Sequence, residues 1–355
     1  MPKQKPTIRD VAHAANVSAA AVSIVINGRP GVSLDTRERV WQTITSLGYS
    51  IRPPVEDGKP QAVGLLIEKS SMPVILDIFY GQVIGGFQAE AQRLGFHVVL
   101  HMFDRSAENL DGLRGRLASQ VRGLVVANDG DIAPEMVIRL GALNLPLVLI
   151  ENCIAGQRLP CVVGDNFTAG YTVMQHLLSL GHRAIAVLPG PHKYSSLVER
   201  VRGCLAGAAE AGLLIPPEWI PQPSSGHPKK GYLQMQEILH QRNKPTAVVA
   251  VSDKTAFGAM EAIKESGLRI PEDMAIVSID DVSESAYSQP ALTTYRIPKY
   301  EMGILAMQKL QRLISGEAEI PVKSIVYGEL IVRQSCGAHL HAGKVIGEPS
   351  YSNAC

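Results

Sequence analysis

Apolar positions along the first fifty residues recur at helical spacing and stop at polar, cap-forming residues. Ile8, Val11, Ala12 and Ala15 form one stripe behind Thr7, which predicts a short helix capped by that threonine and broken at Asn16. Ser18 opens a second helix with Ala21, Val22, Val25 and Ile26 on its apolar face, and Ser33 a third that carries Val40, Ile44 and Leu47 inward. Between Ser50 and Gln61 the periodicity ends, because Arg-Pro-Pro-Val-Glu-Asp-Gly-Lys-Pro cannot sustain a helix. From Ala62 short uninterrupted apolar runs appear at 63–67, 97–101, 123–127 and 147–150, alternating with helical stretches such as 82–94, where Val83, Ile84, Phe87 and Ala91 share a stripe. A second series has runs at 184–188, 247–251 and 275–279, with helices near 168–180, 198–212 and 254–266. Short apolar runs alternating with helices predict an α/β core of two parallel-sheet lobes, with a cleft where strand carboxyl ends meet.

The small residues Ala12 and Ala15 allow the first two helices to cross closely, as a helix-turn-helix requires, leaving the outer face of the second helix free for a DNA major groove. Charge sharpens this picture. Residues 1–52 hold seven basic groups against three acidic ones, a balance of +4 in a chain whose total is +1. Any three-helix bundle shows similar periodicity, but Val17-Ser18, Val22-Ser23 and Asn27-Gly28 at these spacings favour DNA binding. With Gly28-Arg-Pro-Gly-Val-Ser33, Thr36-Arg-Glu-Arg-Val40 and Leu47-Gly-Tyr49, the opening resembles the headpiece of the lactose/galactose repressor family. The resemblance implies that Ala19, Ala20 and Ile24 face the bases. None of the three makes a bidentate base contact, so readout would rest on thymine methyls, DNA shape and Arg29, with Thr7, Ser18, Ser23 and Asn27 anchoring phosphates. Relatives carry a leucine-bearing hinge helix before the core; residues 53–61 lack that motif, which implies weaker operator bending.

The core carries further motifs: Phe79-Tyr80 ahead of Gly86, Gly164-Asp-Asn166, Gly181-His182, Arg200-x-x-Gly203, Ser252-Asp253 ahead of Ala256-Phe-Gly258, Ile279-Asp-Asp281, Pro290-Ala-Leu-Thr-Thr294 and Arg333-Gln-Ser335. They resemble the regulatory core of the same family, which shares its fold with type I periplasmic sugar-binding proteins; the likeness spans about 7–336. It implies a headpiece at 1–52, a linker at 53–61, a core at 62–337 and a flexible tail at 338–355. Lobe 1 would comprise about 62–162 and 293–323, and lobe 2 about 163–290 and 325–337. Arg200, with its planar fork of donors, and Asp280, at a strand end, are placed on a small polar ligand; Asp253, at another strand end, reads equally as a ligand contact or a structural residue, with Ser252 beside it and Asp129 a weaker candidate. Phe79 and Tyr80 stack on a ring or belong to the core. Asp165-Asn166 reads as a helix cap. Truncating Arg200 or Asp280 is expected to leave the melting temperature of the ligand-free protein little changed and to remove most ligand-induced stabilisation.

The implied function is a cytoplasmic, homodimeric regulator that binds double-stranded operator DNA and a small-molecule effector, most simply a sugar, and represses genes for carbohydrate uptake or breakdown. No cofactor or metal is implied: the five cysteines show no ligand spacing, and His339 and His341 near Cys336 lack a fourth partner. A purine effector is the nearest alternative, with Phe79-Tyr80 stacking on the base. An enzyme is the rival class, but the chain has no Gly-x-Ser-x-Gly elbow, P-loop or zinc motif. A secreted solute-binding protein is opposed by the headpiece and by the lack of an apolar signal segment; no membrane partner is implied.

Overall fold

The computed structural model describes residues 6–26, 31–47, 61–68, 79–103, 117, 119–127, 137–138, 140, 145–151, 153–154, 156–222, 229–317 and 320–340. Asn27, Arg29, Asp129, the linker apart from Gln61, and the tail beyond Leu340 lie outside them. The chain divides into two compact units, one of residues 1–59 with 93–95 and the other of residues 60–92 with 96–355.

The first unit has three helices, α1 (Ile8–Ala14), α2 (Ala19–Ile26) and α3 (Leu34–Leu47). Thr7 caps α1 in a reciprocal box, the Asp10 amide donating to its Oγ1 and the Thr7 amide to Asp10 Oδ2 at 2.6 Å. Ser18 and Ser33 cap α2 and α3 by accepting from the Ala21 and Thr36 amides. Asn16 takes a left-handed conformation (φ 53°) and turns the chain between α1 and α2. Val11, Ala12, Ala15, Val22, Val25, Val40 and Ile44 are buried together, each large side chain contributing about 1.5–3 kcal/mol. Leu47 departs from expectation: on the last turn of α3 it is 39% exposed, because no described apolar neighbour covers that helix end. Thr7→Ala is expected to cost the headpiece about 1 kcal/mol, visible as faster amide exchange over residues 8–14. The hydrogen bonds from Thr7 hold the Asp10 carboxyl below its ordinary 3.8, so the cap is intact above that pH and weakens as pH falls through the lowered value.

The second unit contains two sheets. The first, in order β10-β5-β4-β3-β1-β2, is parallel: β1 (Ala62–Glu68), β2 (His97–Phe103), β3 (Leu124–Ala127), β4 (Leu147–Ile150), β5 (Cys161–Gly164) and β10 (Lys323–Val326). The second, in order β11-β9-β8-β7-β6, joins β6 (Ile185–Leu188), β7 (Ala247–Ala250), β8 (Ala275–Asp280) and β9 (Thr293–Arg296) in parallel, with β11 (Glu329–Ile331) antiparallel at its edge. Cys153 and Cys161, which show no metal-ligand spacing in the sequence, bring their sulfurs to 2.8 Å beside the first sheet.

The chain passes between the sheets after Gly164, Arg296 and Val326. The return at 296 corrects the expected boundary at 293, and the last passage falls after 326 instead of 324. Leu-Thr-Thr-Tyr lacks the apolar run of a buried strand, yet Thr293 and Thr294 are fully buried because their hydroxyls are satisfied: Thr293 Oγ1 accepts from the Arg333 amide and Thr294 Oγ1 donates to Asp253. At the crossovers the Asp165 amide donates to the Val326 carbonyl and the Gly328 amide to Tyr295 Oη.

Among the described residues, three helix pairs flank the sheets and meet backbone to backbone. In α4 (Tyr80–Arg93) and α9 (Lys299–Ile314), a Cβ on Gly86 would lie 1.9 Å from the Tyr300 carbonyl, and one on Gly303 2.1 Å from that of Val83. In α5 (Asn166–Ser179) and α6 (Ser195–Glu210), a Cβ on Gly170 would lie 1.9 Å from the Arg200 carbonyl, and one on Gly203 2.0 Å from that of Phe167. In α7 (Lys230–Leu239) and α8 (Asp253–Glu265), Gly231 meets the Thr255 carbonyl at 2.0 Å in the same way.

Candidate ligand site and DNA-reading face

The α5–α6 crossing fixes Arg200. Its carbonyl lies against Gly170, and its side chain, 2% exposed, runs to the carboxyl ends of the strands of the second sheet. Nε donates to Asn166 Oδ1, and Nη1 to the Val251 carbonyl and to Asp280 Oδ1, each at 2.8 Å. Among the described residues Nη2 has no acceptor and Asp280 Oδ2 no donor, so the pair offers one donor and one acceptor side by side. Asp280 ends β8 at φ 138°, a region that favours glycine, and its neighbour Asp281 is also left-handed at φ 53°. Held strain of this kind, of order 1–3 kcal/mol, marks binding sites more often than plain structure.

Lys299 over-determines that conformation. It is 1% exposed, its ammonium donates to the Asp280 carbonyl and, at 3.3 Å, to that of Ile297, and it stands 5.6 Å from the centre of the Phe79 ring. Burial lowers its pKa, and Asp280, Asp253 and Asp281 oppose that shift. Phe79 packs edge-on to Tyr80, centroids 5.3 Å apart. Lys299 thus joins the Phe79 end of α4 to the Arg200–Asp280 pair. On the other side, Asn166 Nδ2 donates to Glu151 Oε2 and to the Gly164 carbonyl, and Glu151 Oε1 accepts from the Gly164 amide at 2.6 Å. A buried polar chain therefore runs from Glu151, just after β4 in the first sheet, through Asn166 and Arg200 to Asp280 in the second.

Two expected contacts take other roles. Asp253 has no exposed surface. Its Oδ1 accepts from Ser278 and Thr294, and its Oδ2 from the Val282 amide and Ser285, so no lone pair remains for a ligand. Ser252 caps α8, accepting from the Thr255 amide and pairing with the Thr255 hydroxyl at 2.9 Å. Asp165 caps α5 as expected from the sequence, whereas Asn166 is a working member of the polar chain. Burial, then Asp280, pushes the Asp253 carboxyl up to about 6 against its hydrogen bonds. Its protonation therefore supports the fold fully below 3.8, and that support is lost as pH rises through 6. Relative to Asp253→Asn, the wild type is expected to gain more stability on acidification from pH 7 to pH 5, measured by denaturant unfolding at each pH.

A cavity of about 510 Å³ opens beside the crossovers, lined by Asp281, Arg296, Lys299, Tyr300, Glu329 and Arg333, but not by Arg200 or Asp280. Its charges are largely paired: Asp281 bridges Arg296 and Arg333 at 2.7 Å each, and Glu329 meets Arg296 at 2.8 Å.

In the headpiece, Ala19 and Ala20 are exposed and Ser23 and Ile24 half-buried on α2, on the side opposite buried Val22 and Val25. That leaves a small apolar surface on the second helix, flanked by the Ser18 cap.

A helix-turn-helix unit followed by two crossover-linked parallel sheets with a polar cluster at their strand ends defines a ligand-responsive, DNA-binding transcriptional regulator. The family model for bacterial regulatory proteins of the lacI family matches residues 7–51, and that for a periplasmic binding protein-like domain matches 174–336. The chain belongs to the lacI family. It is 33% identical over 337 residues, 93% of its length and 96% of the relative's, to the HTH-type transcriptional repressor PurR of Escherichia coli O139:H28 (strain E24377A / ETEC). Among solved structures, a complex of the transcriptional regulator CelR with cellobiose aligns over 93% of this chain and 99% of that one, with TM-score 0.72 and 30% identity. The lac repressor dimer bound to operator and the anti-inducer ONPF aligns over 94% and 99%, with TM-score 0.68 and 25% identity.

Proposed function

We propose that this regulator represses transcription as a homodimer on an operator, and that its effector is a small polyhydroxylated molecule held by Arg200 and Asp280. The observation that carries the reading is the pair itself: a buried arginine and a strained aspartate, each with one uncommitted polar atom, matching the donor and acceptor of adjacent hydroxyls. The likeness to a cellobiose-bound regulator supports a carbohydrate. Likeness to PurR supports a purine as the second reading, with the Phe79 ring as its stacking surface. Thr7, Ser18 and Ser23 are proposed to anchor phosphates while Ala19, Ala20 and Ile24 face the bases. Regulation requires that the effector bind the DNA-competent and DNA-free states with different affinity.

The test has two parts. An operator is selected from random duplexes with the full chain, and its affinity is then measured with saccharides and purines added. A selected pseudopalindrome whose affinity changes with one ligand class supports the reading. Selection of no sequence, or an affinity indifferent to every effector that binds the core, refutes it.

A further inference from the structure

Lys230 is the first residue of α7, one turn ahead of Gln234, which is 2% exposed and donates to the carbonyls of Pro189 and Pro221. Residues four apart share a helix face, so Lys230 lies on the side turned to the end of β6. Gly231 beside it brings the start of α7 against the Thr255 carbonyl in the first turn of α8. That placement puts the Lys230 ammonium within electrostatic reach of Lys254, Asp280 and Arg200.

The neighbouring charges are already committed. Asp280 Oδ1 takes the Arg200 guanidinium, Asp253 takes four donors, Glu151 takes the Gly164 amide and Asn166, and Lys299 serves backbone carbonyls. Lys230 has no ion pair or hydrogen bond among the described residues, although it is only partly exposed. Burial, and then Lys254, lower its pKa to about 8. A partly buried cation with no hydrogen bond or ion pair among the described residues, at the start of a helix where the dipole disfavours positive charge and with only Asp280 of opposite sign in reach, weakens the free protein. A ligand that supplies the missing charge removes that penalty.

We propose that the effector is anionic, a phosphorylated or carboxylated polyol whose anionic group is received by Lys230 while Arg200 Nη2 and Asp280 Oδ2 engage its hydroxyls. The inference rests on the reading that Arg200 and Asp280 line the effector site, and it adds the effector's charge class.

The experiment measures thermal stabilisation and affinity of the full chain with inorganic phosphate, hexose and pentose phosphates, uronic and aldonic acids, and the neutral parent sugars and purines. The expected result is that a phosphorylated or carboxylated compound binds. Its affinity should be roughly ten- to a hundredfold weaker in Lys230→Met and largely kept in Lys230→Arg. Phosphorylated and carboxylated arms distinguish the two anionic groups. The ligand-free Lys230→Met protein should melt higher than wild type; a lower melting point would make the lysine a structural partner and overturn the proposal. Failure of every anionic probe at millimolar concentration overturns it as well. Binding of a neutral ligand that is lost in Asp280→Asn and unchanged in Lys230→Met overturns the anionic inference and keeps the site. Ligand binding indifferent to both substitutions overturns the site itself.

Discussion

Arg200→Ala is expected to lower the stability of the ligand-free core by about 3–5 kcal/mol and to erase ligand-induced stabilisation. The side chain is 2% exposed, and its loss leaves Asp280 Oδ1, Asn166 Oδ1 and the Val251 carbonyl without their donors in a region closed to most water. Removing one partner of a buried pair costs far more than the pair contributes, because the remaining charge is stranded. This replaces the milder expectation from the sequence, a melting temperature little changed without ligand. Arg200→Lys keeps the charge but loses the separate directions of Nε and Nη1, so it should recover only part of the stability. Denaturant unfolding without ligand measures the first effect and thermal shift with ligand the second. A midpoint equal to wild type in Arg200→Ala would refute the buried network.

Gly203→Ala and Gly170→Ala are each expected to destabilise the core by at least about 3 kcal/mol, since the added methyl would sit 2.0 and 1.9 Å from a backbone carbonyl oxygen. Neither obstacle is a side chain that swings aside. Relief requires α5 and α6 to separate, and Gly170→Ala pushes directly on the Arg200 carbonyl. That variant should therefore also lose ligand affinity beyond its loss of stability, measured by calorimetric titration below its unfolding temperature. A Gly170→Ala protein with wild-type stability and affinity would show that the helices do not meet backbone to backbone.

Much of the fold is legible in the sequence, because helical stripes and short apolar runs report burial directly. Arg200 and Asp280 are legible through a resemblance to known motifs, which locates them but says nothing of their depth. What escapes is polar and buried. Thr293 and Thr294 look like loop residues until their hydroxyl partners are known. Glu151 after Val-Leu-Ile reads as a surface acid, and Lys299 after Ile-Pro as the start of an exposed helix; both sit inside because partners distant in sequence supply their hydrogen bonds. Asp253 reads from the sequence equally as ligand-facing or structural, and the four donors from three segments that enclose it favour the structural role. No local pattern encodes that closure; Ser278, Ser285 and Thr294 hint at it only once they are known to converge.

The glycine crossings also govern how such a regulator acquires new tastes. Where backbone rests on backbone, as at Gly170 with Arg200 and Gly231 with Thr255, no exchange of side chains moves the walls, so the depth and spacing of the recess are inherited unchanged. Lys230 adjoins the Gly231 crossing, but its side chain is not one of the groups that meet there. With Lys230 facing the effector as proposed, its substitution alters what is recognised without moving the backbones that hold the helices together. Drift in effector preference through Lys230 is thereby uncoupled from loss of foldedness, whereas drift through Arg200 is not.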